Sequence, residues 1–213
     1  MIRRLEDALL SSSLVRGVLF NRVTGTFAEY VEAARKRHRY AAYRDRYDVS
    51  PEFEFRGPGI ELYGRGDIDL GTGSYIGHHS RIQSKRDTAV TVGANTAISH
   101  YVFLYTENRV ADQDMSTAPN RNRHLDVRRG DVAIGDDCWI GAFTFVTEGV
   151  SIGENAVVGA HSVVTDDLPP HSVAAGTPAR VRKFKSYLPA DRTRALAEAY
   201  EGVLDEDVRA RYV

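Results

Sequence analysis

The sequence has little of several features that would point to a particular class of protein. Its 213 residues include one cysteine, Cys138, so an internal disulfide framework is excluded. Lys plus Arg number 28 against 29 Asp plus Glu, which leaves a formal net charge of −1 and favours neither nucleic acid nor a membrane surface as partner. Charged residues interrupt residues 1–20, which therefore lack the long apolar run of a signal peptide or membrane span. We expect a soluble, cytoplasmic protein.

The second half of the chain has a period of six residues instead. An aliphatic residue opens each unit, Gly usually follows, and a small or branched residue stands at the fifth position. The clearest units open at Ile134, Ile140, Val146, Ile152 and Val158. Side chains repeat every 3.6 residues on a helix and every 2 on a strand, so neither explains a period of six. The period predicts a solenoid in which each aliphatic residue stacks on that of the coil below.

The period starts earlier, and two polar segments interrupt it. Units open at Leu70, Ile76, Val92 and Ile98, with a short excursion at residues 83–89 and a long one at 107–131. A segment as long as the second one, inside a regular solenoid, is typical of a functional loop.

Helical patterns flank the repeats. In the first, Phe27, Tyr30, Val31 and Ala34 share one helix face; in the second, Asp191 is the predicted cap of a helix that carries Leu196, Ala199, Tyr200 and Val203. The predicted organisation is an N-terminal helical segment (1–54), a repeat domain (55–185) and a C-terminal helix (186–213).

The repeat resembles that of the hexapeptide-repeat acyltransferases. The closing segment 173–181, which reads Val-Ala-Ala-Gly-Thr-Pro-Ala-Arg-Val, looks like the terminal signature of that family. The likeness covers about residues 60–185, and the pattern is most similar to the maltose, galactoside and polysaccharide O-acetyltransferases. The resemblance implies an all-β core, a left-handed parallel β-helix with N-terminal and C-terminal helices. It also implies a homotrimer with sites between neighbouring prisms, acetyl-coenzyme A as acyl donor, and no metal.

Acyl transfer needs a base that takes the proton from the acceptor. In the sugar acetyltransferases this base is a histidine near the start of the extended loop, but the matching positions 106–109 contain none. His100 stands at the third position of its hexapeptide, where the side chain points outward, and it is the predicted base. His124, late in the loop, is the alternative. If His100 is not the base, we expect it to be an outward-facing residue that packs at a subunit interface.

Several other polar residues are candidates for the acceptor side. Asp112 and Asp114 would orient the base or bind acceptor hydroxyls, unless they only form local turns in a solvated loop. Trp139 would shape the acceptor cleft or stack on a sugar, unless it only packs the loop base. Asn95 and Asn108 are further candidates for acceptor contacts.

The resemblance also suggests how the donor binds. Small side chains at Ala142 and Ala160 leave room for the pantetheine arm. Backbone groups of the closing turn at Gly176 and Thr177 would pair with the amides of that arm. A basic cluster follows at Arg180, Arg182 and Lys183, which either contacts the nucleotide phosphates or is ordinary surface charge.

The function expected from this likeness is O-acetylation of a small-molecule or glycan acceptor, on a hydroxyl (or an amine) of a sugar or polysaccharide precursor. A catalytically degenerate scaffold that lacks the loop histidine is the main alternative. A zinc carbonic anhydrase on the same helix is a weaker one. Gln113 and Asp114 echo its pattern, yet the paired histidines that a zinc site needs are missing.

Overall fold

The computed structural model describes residues 22–114 and 126–213. These residues fall into two compact units that divide between Tyr43 and Arg44. Helix α1 (Arg22–Arg46) precedes the strands. After the strands come helix α2 (Ala190–Ala199), a 3₁₀ turn (Glu201–Val203) and helix α3 (Glu206–Tyr212).

The second unit is a parallel solenoid with three sheets. Sheet A contains β1 (Asp48–Val49), β4 (Asp67–Leu70), β7 (Ala89–Val92), β12 (Val132–Ile134) and β15 (Ser151–Ile152). Sheet B contains β2 (Glu54–Arg56), β5 (Tyr75–Gly77), β8 (Ala97–Ile98), β13 (Trp139–Ile140), β16 (Val157–Val158), β18 (Ser172–Gly176) and β19 (Ala179–Phe184). Sheet C contains β3 (Glu61–Gly64), β6 (Arg81–Ser84), β9 (Phe103–Tyr105), β14 (Phe145–Val146) and β17 (Val163–Val164). The chain passes from A to B to C in each coil, so the solenoid has an A–B, a B–C and a C–A edge.

The aliphatic residue that opens each repeat lies inside the solenoid. In sheet B the partners in register are Ile76, Ile98, Ile140, Val158 and Ala174, each no more than 1 % exposed. In sheet C the equivalent stack is Leu62, Ile82, Leu104, Val146 and Val164. Each fully buried aliphatic side chain contributes roughly 1.5–3 kcal/mol. The predicted parallel β-helix of hexapeptide repeats is confirmed.

The fifth position of the repeat is small or branched because it faces inward at an edge. Ser74, Thr96 and Thr144 are fully buried there. Each hydroxyl donates to a backbone carbonyl, at 2.6 Å for Ser74, 2.8 Å for Thr96 and 2.7 Å for Thr144. These buried hydroxyl groups therefore have the hydrogen-bond partners that buried polar groups need.

The long loop has more regular structure at its base than the sequence indicates. β10 (Glu107–Arg109) and β11 (Val127–Arg129) pair antiparallel, Glu107 opposite Arg129. The loop therefore leaves the C–A edge on a two-stranded ribbon.

The predicted cap of the last helical segment is wrong. The N-cap of α2 is Pro189, with no side-chain cap, and Asp191 lies in the first turn, where its charge still favours the positive end of the helix. None of the helices in the described ranges is long and apolar enough to cross a membrane. The limits 1–54, 55–185 and 186–213 stay predictions; β1 already begins at Asp48.

Candidate functional site

The predicted base, His100, lies on the B–C edge in line with two predicted donor residues. We call His78, His100, Ala142 and Ala160 the edge column, because they occupy the same turn position in four successive coils. The backbone hydrogen bonds that set this register run from Tyr101 to His78, from Phe143 to His100 and from His161 to Ala142. Residues about 20 to 40 apart in sequence are therefore stacked one coil apart.

The two histidines of the column are in direct contact. Their ring centroids lie 3.8 Å apart with the planes 20° from parallel. Burial is the largest cause that lowers the pKa of His78, followed by the charge of His100 and then of His79. His78 is therefore favoured as a neutral ring beside His100. A Cβ at Gly77 would collide with Nδ1 of His100, so glycine at that position is what lets the ring lie against its own edge.

Beyond His100 the column becomes shallow. Ala142 is half-buried and Ala160 is exposed, so side chains shrink from imidazole to methyl along the edge. Trp139, which is 55 % exposed, flanks the column on sheet B. Its Nε1–H donates to Oγ of Ser99 at 3.4 Å, which places the indole beside the residue that precedes His100. The result is a lane of small side chains that ends at an imidazole.

The predicted phosphate contacts near the end of the solenoid are unequal. Arg180 pairs with Asp166 at 3.1 Å, and Arg182 pairs with Asp205. Lys183 is exposed and makes no ion pair within the ranges that the structure describes. In the closing turn, Thr177 is exposed. The N–H of Gly176 donates to Oγ of Ser162 at 3.2 Å, so it already has an acceptor.

The other predicted acceptor residues do not meet His100 within one chain. Asp112 and Asp114 are exposed in the loop that leaves the C–A edge. At the loop base Nδ2 of Asn108 donates to Oε2 of Glu148 at 2.5 Å. Asn95 lies on the A–B edge, with φ of 54°. The alternative base, His124, lies outside the described residues.

Sequence reasoning missed a charged cluster at the base of the loop. Glu107 is one of the residues 106–109, among which a histidine was expected, and its side chain is only 16 % exposed. Its Oε2 lies 2.6 Å from Nε of Arg129 and its Oε1 lies 3.3 Å from Nζ of Lys85. Burial by itself would raise the pKa of Glu107, but hydrogen bonds from Arg129 and Lys85 and their charges bring it below its usual value. Glu107 is therefore held as a carboxylate.

The cluster forms one wall of a pocket of about 600 Å³. The lining residues are Arg46, Gly64, Arg65, Lys85, Arg86, Glu107 and Arg129. The polar excursion at 83–89 was the signal in the sequence that could have pointed to it. Within the described part of the chain, no group of three or more His, Cys, Asp or Glu side chains is placed to hold a metal ion.

Comparison with known proteins agrees with the fold and the repeat. The model of the family "Bacterial transferase hexapeptide (six repeats)" matches residues 131–166. The galactoside O-acetyltransferase of Escherichia coli K12 is 33% identical over 115 residues, 54% of this chain and 53% of that protein. That of Lactococcus lactis is 32% identical over 131 residues, 59% of each. The chain thus spans little more than half the length of these relatives.

A solved structure has the same fold at low identity. AntD, an N-acyltransferase from Bacillus cereus in complex with dTDP and 3-hydroxybutyryl-CoA, is 20% identical with a TM-score of 0.52. The match covers 72% of this chain and 86% of that one. In its six-residue repeat, its three-sheet solenoid and its sequence relatives, the chain is therefore similar to the hexapeptide-repeat transferases of bacteria.

Proposed function

We propose that the chain is an acetyltransferase that moves the acetyl group of acetyl-coenzyme A to a hydroxyl of a sugar or polysaccharide precursor. The observation that carries the proposal is the edge column, in which the candidate base and a lane of small side chains share one edge. The named activity of the galactoside O-acetyltransferase relatives supports the reaction type. The bound CoA derivative of the AntD structure supports a thioester donor.

In the proposed reaction His100 is the general base. Its imidazole takes the proton of the acceptor hydroxyl while the oxygen attacks the thioester carbonyl carbon. The tetrahedral intermediate then expels the thiolate of coenzyme A, which takes up the proton, so that the products are an acetyl ester and coenzyme A. Because His78 is favoured as neutral, His100 would gain its positive charge without a second one against its ring.

The same column offers a path for the donor. A pantetheine arm laid over Ala160 and Ala142 would bring its thioester toward His100 along the stacked rings of Phe143 and His161, which occupy the next position of the same edge. Lys183 is then the cation most ready for the nucleotide phosphates. Arg180 and Arg182 would first have to leave Asp166 and Asp205.

The acceptor side of the proposal requires a second copy of the chain. His100 lies on the B–C edge and the loop with Asp112 and Asp114 leaves the C–A edge, so one solenoid keeps them apart. A homotrimer that places the loop of one copy against the column of the next would join them, with Trp139 at the same edge as His100. The separation of the two edges supports sites between subunits, and the proposed setting of the reaction is polysaccharide biosynthesis in the cytoplasm.

A degenerate scaffold is the competing function, and one observation favours it. Glu107, the carboxylate among positions 106–109 where the usual histidine is expected, is held by two cations that lower its pKa, which makes it a poor proton acceptor. The loop position therefore provides no base. The enzyme proposal depends on His100.

An acetyl-transfer screen of the full chain over sugar and nucleotide-sugar acceptors, read as coenzyme A release, tests the proposal. We expect release that depends on both substrates. If none of the acceptors gives coenzyme A release and acetyl-coenzyme A does not change the melting temperature, the scaffold is favoured.

A substitution at Ala160 tests whether the donor lies over the small side chains of the edge column. Ala160→Trp fills the lane at an exposed position, so the KM for acetyl-coenzyme A should rise about tenfold or more, the loss expected when a long ligand is displaced. Ala195→Trp, at an exposed position of α2, is the matched control and should leave the KM unchanged. Equal kinetics in the two variants would contradict this path.

A further inference from the structure

The pocket at the loop base is strongly positive. Its lining contains five cationic side chains and one carboxylate, that of Glu107. Two of the cations, Lys85 and Arg129, are already paired with Glu107. Arg65 and Arg86 are exposed and form no ion pair within residues 22–114 and 126–213. A chain that is neutral overall thus concentrates positive charge at one place.

The cations are stacked by the fold along the C–A edge. Arg65 comes from the turn after β3, Lys85 and Arg86 from the turn one coil later, and Arg129 from the ribbon one coil later again. Beyond them the same edge becomes acidic, with Glu148 in the next coil and Asp166 and Asp167 in the one after it. Arg65, Lys85, Arg86 and Arg129 therefore lie in the first three coils, at the foot of the long loop, where Asp87 is also exposed but does not line the pocket.

Hydrogen bonds hold the turn that carries Lys85 and the side chain of Arg46. Oγ1 of Thr106, fully buried, accepts from the N–H of Lys85 at 2.9 Å and from Oγ1 of Thr88 at 2.7 Å. Arg46 donates to the carbonyl oxygen of Gly64, next to Arg65. Preorganised donors lose less entropy when they bind an anion. The turn that carries Lys85 and the side chain of Arg46 are therefore already fixed in the free chain.

A second, acidic pocket adjoins the basic pocket at two of its arginines. Arg46 and Arg65 also line a second pocket of about 480 Å³, which carries Asp48, Asp67 and Asp69. Carboxylates accept hydrogen bonds from hydroxyl groups, and guanidinium groups bind phosphate with paired donors. Cations on one side and carboxylates on the other suit a ligand that has both a phosphoryl group and hydroxyls.

We propose that this basic pocket binds the phosphoryl group of the acyl acceptor that the edge column of the neighbouring copy in the proposed homotrimer acetylates, so that the acceptor is a phosphorylated sugar. The inference rests on the proposed function and narrows its substrate class. Its place separates it from the donor contacts, because Arg180, Arg182 and Lys183 lie on β19 at the other end of the solenoid. Both a sugar phosphate and a nucleoside diphosphate sugar carry the required group.

Calorimetric titration of the full chain tests the pocket without turnover. The probes are inorganic pyrophosphate, glucose 1-phosphate, UDP-glucose and glucose, in a phosphate-free buffer. We expect pyrophosphate and at least one phosphorylated sugar to bind, more weakly as salt is raised, and glucose not to bind. The preferred phosphorylated sugar distinguishes the two sources of the phosphoryl group. If pyrophosphate does not bind, the proposal is overturned.

A pair of double variants localises the binding. Arg65→Gln with Arg86→Gln removes two unpaired cations and should weaken pyrophosphate binding about tenfold or more. Arg194→Gln with Arg211→Gln makes the same change of charge at exposed positions on α2 and α3 and should change it less than about twofold. Equal weakening in both would mean a general charge effect and overturn the pocket.

Coenzyme A is the competing ligand. If it displaces pyrophosphate from the wild-type chain, the pocket belongs to the donor and the acceptor assignment is wrong. A chain that binds pyrophosphate through Arg65 and Arg86 yet releases no coenzyme A in the acetyl-transfer screen would keep the pocket and lose the proposed function. The two failures are therefore distinguishable.

Discussion

At the level of single residues, the neighbours of Glu107 determine what this residue can do. Where a base is expected, the chain has a carboxylate held between Lys85 and Arg129. Its pKa is lowered, so it stays negative under conditions in which a base would have to take up a proton. We interpret Glu107 as the anchor of the basic pocket, since it fixes two cations in place while leaving Arg65 and Arg86 unpaired.

Glu107→Gln should destabilise the chain in a pH-dependent way. A carboxyl whose folded pKa lies below its unfolded value of about 4.3 contributes stability above that pH and loses it as the pH falls through the folded pKa. The difference from wild type in free energy of unfolding should be about 1 kcal/mol near neutral pH, the size expected of partly exposed ion pairs, and should vanish in acid.

Urea denaturation at a series of pH values measures this difference. Glu198→Gln, at an exposed position of α2, is the control and should show little change at any pH. A deficit in the Glu107 variant that persists unchanged in acid would show that the ion pairs are not its cause.

Residues whose position follows from the six-residue repeat were predictable from the sequence. Residues that meet only across the interrupted coils were not. Ile140 and Val158 were predicted as inward-facing because the repeat itself states their position, and both are buried. Arg65, Lys85 and Arg129 are separated by 20 and 44 positions. The lengths of the intervening coils bring them to one edge, and these coils include the polar excursion at 83–89 and the long loop at 107–131.

At the scale of elements, the C–A turns are joined by buried hydroxyls. Oγ1 of Thr106 links the start of the loop to Thr88 and to the backbone of Lys85, and Oγ of Ser84 donates to the carbonyl of Thr88 at 2.8 Å. The loop base and the turn below it therefore form one hydrogen-bonded unit.

Thr106→Val keeps the shape and removes the hydroxyl. The N–H of Lys85 would then lose its acceptor in a buried place, so we expect a loss of about 1–3 kcal/mol in the free energy of unfolding. Thr91→Val, on an exposed position of β7, is the control and should be nearly neutral. Chemical denaturation compares the two. Equal stabilities would mean that the hydroxyl does not hold the turn.

The strands were easier to predict than the ribbon at the loop base. A six-residue period makes every strand of the solenoid a repetition of the last, so β13 to β17 follow from the sequence. β10 and β11 consist mostly of charged and polar residues and pair across the whole loop. No local pattern in residues 107–109 indicates that partner, because the pairing depends on the closure of the loop.

At the scale of the whole molecule, the three edges have different chemistry. The B–C edge has the stacked histidines and the small residues, the C–A edge has the loop and the basic pocket, and the A–B edge has polar side chains such as Asn95 and Asn155. The fold was predictable because the repeat determines it. The distribution of chemistry over the edges was not, since it follows from where each coil is interrupted.

We interpret the edge column as an acetyl-transfer site with His100 as its base. The most direct test is the rate of coenzyme A release by His100→Gln, compared with His38→Gln on an exposed position of α1. We predict a fall in kcat of about 10²–10⁴-fold for the His100 variant, the usual contribution of a general base, with the melting temperature and donor binding unchanged and the His38 variant fully active. Near-wild-type turnover by His100→Gln would show that His100 is not the base.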